Sequence, residues 1–151
     1  MNKAFLGFMK DRIIIVTGPP GAGKTTYAKQ NRQPGDIVID LDYLAAALML
    51  SDQKNGDHSE VLSTALAIRD YLIDQIALGK LTFGRAIIVT VANAQKIQQK
   101  TGGQIITIDP GIEETMKRID ADQVNEMMRL KRRDLALKYY YQKDRKERKN
   151  R

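Results

Sequence analysis

Residues 18–25 read Gly18-Pro19-Pro20-Gly21-Ala22-Gly23-Lys24-Thr25 and satisfy the spacing GxxxxGK[ST]. No other stretch restricts the fold as strongly. Ahead of it runs Ile13-Ile14-Ile15-Val16, an unbroken apolar and β-branched segment suited to a strand buried on both faces. Behind it, Tyr27, Ala28 and Lys29 carry a helix onward. A polyphosphate needs several donors in a concave array without side-chain crowding. Gly21 and Gly23 let the backbone approach closely and take φ values that other residues avoid. Successive N–H groups then face the anion, and the following helix adds its N-terminal dipole. Gly18, Pro19, Pro20, Gly21, Ala22, Gly23, Lys24, Thr25 and Thr26 form the expected phosphate-binding set. Lys24 reaches toward the β- and γ-phosphate oxygens, and the Thr25 hydroxyl is a ligand for Mg²⁺. In the free protein Lys24 is expected to face solvent. The expected ligands are therefore ATP and Mg²⁺.

A chain of 151 residues suits one domain with one sizeable core, and 42% hydrophobic residues is ordinary globular usage. No run approaches the ~18 apolar residues of a membrane helix. Lys10, Asp11 and Arg12 interrupt the short apolar patch at Phe5, Leu6, Phe8 and Met9, and no small-residue cleavage site follows, so no signal peptide is expected. The absence of cysteine excludes disulfides, zinc-thiolate sites and thiol nucleophiles, and fits a cytoplasmic protein. The charge of +7 is unevenly placed: residues 131–151 hold ten Lys or Arg against three Asp or Glu, while residues 1–130 hold fifteen of each. The basicity belongs to the C-terminal segment.

Pro34-Gly35-Asp36 signals a turn into a second strand, Ile37 to Ile39, which ends at Asp40-Leu41-Asp42. Asp40 or Asp42 would cap a helix with Leu44 to Leu50 as its body. Ser51 to Ser59 reads as a mobile polar loop, and Glu60 to Leu78 as a long helix closed by Gly79. Ala86 to Val91 is a third strand. Asn93 to Lys100 is a short helix, Gln104 to Ile108 a fourth strand, and Ile112 to Ile119 a helix. A last helix starts near Val124, and beyond Tyr141, with no apolar residue left, the chain is expected to fray. Strands alternating with helices imply parallel pairing through right-handed crossovers. The expected fold is an α/β three-layer sandwich with a four-stranded parallel sheet and helices on both faces. Residues 1–141 form a single nucleotide-binding domain and residues 142–151 a basic tail.

The segments GPPGAGKTTYAKQ and PGDIVIDLDYLAAAL resemble the P-loop kinases, in particular small proteins related to bacteriophage polynucleotide kinases and zeta-toxin-like kinases, and also small phage-encoded AAA-type proteins. The resemblance covers roughly residues 12–141, and only its phosphate loop is highly specific. It implies a P-loop NTPase fold and ATP-dependent transfer of a phosphoryl group. It places Asp42 where these kinases carry the carboxylate that activates the acceptor hydroxyl, with Ala45 at the position of the arginine that follows. Asp40 is a second candidate, facing Thr25 and the metal, because a carboxylate at the carboxyl end of a parallel strand lies in the ligand crevice. The acidic residue often found at the end of the third strand is missing from Val89-Thr90-Val91. An arginine-bearing lid is implied near the helix after Asp109, with Arg118 as first choice and Arg129, Arg132 and Arg133 as weaker ones. A solvated helix face with a Glu114–Arg118 pair is the competing reading for Arg118.

Two functions follow as expectations. One is a phosphotransferase acting on a small hydroxyl-bearing or nucleotide-like acceptor, with Lys24, Asp42 and Arg118 catalytic and Thr25 and Asp40 at the metal. The alternative is a slow ATPase switch that binds nucleic acid through residues 131–151. His58, the one histidine, reads as an exposed loop residue or, less simply, as an acceptor contact. Tyr139, Tyr140 and Tyr141 either pack the last helix or stack on bases.

Overall fold

The structure, a computed structural model, describes residues 11–54 and 56–151. The apolar patch at Phe5 to Met9, and the expectation built on it, lies outside the described residues. Strands β1 (Ile13–Thr17), β2 (Ile37–Asp40), β3 (Ala86–Thr90) and β4 (Gln104–Thr107) form one parallel sheet in the order β2-β3-β1-β4. The helices are α1 (Lys24–Asn31), α2 (Leu41–Leu48), α3 (Leu62–Ala77), α4 (Ala94–Thr101), α5 (Ile112–Ala121) and α6 (Glu126–Lys149). A short 3₁₀ turn, Ser59–Val61, leads into α3.

Successive strand residues face opposite sides, so an all-apolar strand supplies two cores at once. Ile13, Ile15, Ile39, Ala86 and Ile88 pack with Ile73 and Ile76 of α3 and with Ala94 and Ile97 of α4. Val16, Ile87 and Val89 pack on the other face with Ala28, and Tyr27 lies against them from α1. Each fully buried isoleucine contributes about 1.5–3 kcal/mol relative to exposure. The register pairs Val16 with Val89 and Val89 with Asp40, which brings Asp40 level with the strand end that feeds the phosphate loop.

The turn into β2 is held by charge as well as by glycine. Arg85 Nη2 and Nε donate to Asp36 Oδ2 at 2.6 and 3.0 Å, the Arg85 backbone N–H donates to Oδ1 at 2.8 Å, and the Asp36 side chain is buried. These bonds hold the Asp36 carboxyl below the usual carboxylate range. Asp36→Ala leaves the guanidinium without its partner and is expected to cost about 2 kcal/mol. That is below the usual 3–5 kcal/mol for breaking a buried pair, because Arg85 keeps some solvent contact. Urea titration checks this. With the folded-state pKa depressed, the contribution is present above the unfolded value and lost as pH falls through the folded one.

The C-terminal segment differs from expectation. Residues beyond Tyr141 continue α6 to Lys149 instead of fraying. Asn125 caps the helix start by accepting from Met128 N, Lys138 pairs with Asp134, and Lys146, Arg148 and Lys149 sit in the last turn, where the helix dipole favours cations. Lys143 Nζ donates to Asp109 Oδ2 at 2.5 Å. Tyr140 Oη donates to Asp109 Oδ1 at 2.8 Å and lies 2.9 Å from Thr115 Oγ1. Tyr140 therefore packs α6 onto α5, whereas Tyr141 is exposed. Because Lys143 is paired in this way, deletion of residues 142–151 reaches into the fold. Deletion of 144–151 is expected to leave the melting temperature unchanged, and differential scanning calorimetry of the two truncations separates the cases.

Candidate active site

The phosphate loop connects β1 to α1 at the carboxyl edge of the sheet. Gly21 and Gly23 have φ of +75° and +97°, in the region that favours glycine. Gly18 is needed for a reason the motif does not state: a Cβ there would stand 2.1 Å from the carbonyl oxygen of Ile108, just beyond β4. The loop is thus pressed against the next strand's exit as well as curled around its ligand space.

Lys24 does not face solvent, contrary to expectation. The residue is buried, and its Nζ folds back to donate to the carbonyls of Gly18 (2.9 Å) and Pro19 (2.7 Å). Burial pushes its pKa down to about 8; the Asp40 carboxylate opposes this, and the Lys54 ammonium reinforces it.

Asp40 has two tasks in this region. Its Oδ1 accepts from the backbone N–H groups of Asp42 (3.0 Å) and Tyr43 (3.3 Å), so it caps α2. Its Oδ2 accepts from Thr25 Oγ1 at 2.8 Å. One carboxylate both starts the helix and faces the metal-ligand candidate, using different oxygens. Asp42 makes no cap. Burial of its carboxyl end and the nearby Asp40 charge raise its pKa, while Lys54, Arg132 and His58 pull the other way, although residue 42 as a whole keeps an exposed flank. Asp40→Ala is expected to cost about 1 kcal/mol of stability through the cap, and Asp40→Asn much less, because asparagine caps as well. Both should weaken dependence on Mg²⁺, as nucleotide titrations at graded metal concentrations would show.

Arg118 of α5 lies across the loop. Its Nη1 donates to Ala22 O at 3.0 Å, and its Nε donates to Glu114 at 2.8 Å. The guanidinium thus spans a helix-face pair and the phosphate loop. Arg129, Arg132 and Arg133 are engaged in pairs with Glu126, Asp122 and Asp120 respectively, which tie α6 back to its own start and to α5. Of these three, Arg132 is also close enough to Asp42 to influence it. Thr26 is exposed, and the hydroxyl of Thr90, at the end of β3, turns onto Ala92 O at 2.6 Å.

Two further residues depart from their sequence reading. His58 is buried rather than exposed, with Nε2 unpartnered among the described residues. Lys54 belongs to a stretch that reads as a mobile loop, yet it donates from Nζ to Thr25 Oγ1 at 2.5 Å and lies 5.5 Å from the centre of the Tyr43 ring. Only tertiary packing brings residue 54 to residue 25; no motif spacing announces it. Beside this cluster a cleft of about 470 Å³ opens from Thr25 and Asp40 down along α1. Lys29, Arg32 and Tyr43 line it, over an apolar wall that includes Val38.

The donor set fits a hard divalent cation. Among the described residues no group of three or more His, Cys, Asp or Glu gathers as a metal cage. Mg²⁺ bound with a nucleotide does not need one, since it keeps several waters and takes one or two protein oxygens. The Thr25 hydroxyl and Asp40 are such oxygens, and a cation, the Lys54 ammonium, already sits on the hydroxyl.

A glycine-rich loop between a parallel strand and a helix, with its lysine and threonine at the carboxyl edge of the sheet, defines a P-loop nucleotide-binding domain of the kinase-like type. The family model for an AAA domain matches residues 13–108, and the chain belongs to that family. No curated protein matches. Among solved structures, the crystal structure of TT1252 from Thermus thermophilus is similar, with 20% identity and a TM-score of 0.53 over 88% of this chain and 84% of that one. That likeness concerns the fold. No helix among the described residues is long and apolar enough to cross a membrane.

Proposed function

We propose that the protein is an ATP- and Mg²⁺-dependent phosphotransferase acting on a small hydroxyl-bearing or nucleotide-like acceptor. The observation that supports this reading is a pair of carboxylates where β2 passes into α2: Asp40 accepts from Thr25 of the phosphate loop, and Asp42 follows two residues on, within the field of Asp40. Lys24 exchanges its two loop carbonyls for phosphate oxygens and neutralises charge on the β- and γ-groups. Thr25 and Asp40 would hold the metal, which would supply positive charge against the charge that develops on the phosphate oxygens. Asp42 orients the acceptor hydroxyl and takes its proton. Arg118, already on the loop at Ala22, turns its guanidinium to the transferred group. The cleft supports a nucleotide-like acceptor: Lys29, which lies over the Tyr43 ring, and Arg32 offer charge to its phosphates. The lack of a carboxylate at Thr90 fits transfer better than rapid motor-type hydrolysis. Incubation with γ-labelled ATP and panels of nucleosides, nucleotides, oligonucleotides and small metabolites tests the reading. Label in an acceptor supports it; label only in inorganic phosphate overturns it.

One observation favours a second reading, a slow ATPase switch that binds nucleic acid. The last third of α6 leaves Arg145, Lys146, Arg148 and Lys149 exposed on a helix. If they pair with phosphates, deleting 144–151 should flatten the log–log salt dependence of duplex binding by about 0.9 for each phosphate no longer neutralised. Absence of oligonucleotide binding at ~50 mM salt removes this alternative.

A further inference from the structure

Lys54 is not part of any motif, yet it makes the most pointed contact in the site. Its ammonium reaches from the loop after α2 to the hydroxyl of Thr25, 29 residues away in sequence. The Thr25 proton is already given to Asp40 Oδ2, so the hydroxyl offers Lys54 a lone pair. Lys54 also bears on the charge of Lys24 and of Asp42, so it lies within the field of both. The Tyr43 ring flanks it. The result is a positive charge fixed where the phosphates and their metal would meet.

Resting on the nucleotide reading above, we propose that Lys54 is a tethered cation that lets this site take a nucleoside di- or triphosphate free of metal, and that it gives way when the metal-bound nucleotide enters. A magnesium ion on Thr25 requires an oxygen distance of about 2.0–2.1 Å and an ordered octahedron. The ammonium, at 2.5 Å on that same oxygen, takes one of its lone pairs and sets a like charge beside the metal, so the two compete for it. Without metal, entering phosphates meet Lys24, Lys54 and Arg118 together, three cations for an anionic ligand. With metal, repulsion drives Lys54 off Thr25. The like-charge proximity of Lys24 and Lys54 is relieved in both cases by the incoming anion.

Isothermal titration of ADP into the full chain, in EDTA and in excess Mg²⁺, tests this with wild type and Lys54→Met. Wild type should lose no more than about tenfold in affinity when metal is removed. Lys54→Met should lose about a hundredfold, the larger loss expected once one charge-assisted hydrogen bond is gone, while its Mg·ADP affinity equals or exceeds that of wild type. The same metal dependence in both proteins, or an equal loss of both affinities in the variant, overturns the inference. If wild type binds ADP under neither condition, it is the nucleotide reading that fails. A second measurement needs no nucleotide: acetylation of Lys54, followed by peptide mass spectrometry, should run several-fold slower than that of exposed Lys138 and speed up in Thr25→Val. Equal rates for Lys54 and Lys138 in wild type show that the ammonium is not held, and overturn the inference.

Discussion

Replacing Lys24 by methionine is expected to weaken nucleotide binding by about 2–5 kcal/mol, the cost of removing one partner of a buried charged pair, without lowering thermal stability at pH 7. The two halves of this expectation have one cause. Lys24 is buried with two backbone carbonyls as its partners. Its pKa of about 8, against the ordinary 10.5, means that folding works against its protonated form. At about 1.4 kcal/mol per pK unit this amounts to roughly 3 kcal/mol below pH 8. The sign follows from proton counting. Between pH 8 and 10.5 the unfolded chain keeps the proton that the folded chain has released, so stability rises with pH across that window. Methionine removes both the burden and its pH dependence. Urea titrations of the two proteins at pH 7 and pH 10 should therefore converge at the higher pH. A variant that binds ATP like wild type would sink the phosphate-loop assignment. A variant much less stable at pH 7 would show that the carbonyl hydrogen bonds outweigh the burial.

The second large effect is expected at Asp42. Asp42→Asn should leave nucleotide affinity nearly unchanged and lower transfer to the acceptor by about 10²–10⁴-fold, the usual range for a positioned proton acceptor. Its pKa is raised by burial of the carboxyl end and by Asp40, so it protonates at a higher pH than an ordinary aspartate. Since only the ionised form accepts a proton, wild-type transfer should fall on the acid side as pH drops through that raised value. The acid limb should be absent from the residual activity of Asp42→Asn. Pre-steady-state transfer rates across pH test both points. Equal, small losses for Asp42→Asn and Asp40→Asn would leave both carboxylates as local structure only.

Much of this architecture is written in local patterns. Four strand-length segments separated by helical ones prescribe a parallel sheet, and the central β1 and β3 are nearly apolar because both of their faces are covered. The spacing of Gly21, Gly23, Lys24 and Thr25 prescribes the phosphate loop, because backbone conformation there is a local property. The end of α6 departs from its pattern for a related reason. Lack of apolar residues suggests lack of order, but good helix formers, a capped start and the Lys143–Asp109 pair carry the helix to Lys149.

What the sequence could not supply are meetings between distant residues. Gly18 must be glycine because of Ile108, 90 residues further along. Lys24 turns inward because its own loop presents Gly18 and Pro19 carbonyls before any phosphate does. His58 is covered although its neighbours in sequence are polar. Lys54 stands on Thr25 because the loop after α2 closes over the site. The amino-acid order by itself determined the sheet, the phosphate loop and a carboxylate at the end of β2, each of which depends on residues close together in the chain. Tertiary structure alone decided which charges face one another in the empty site, since that depends on how separate segments pack and on the field each charged group then meets.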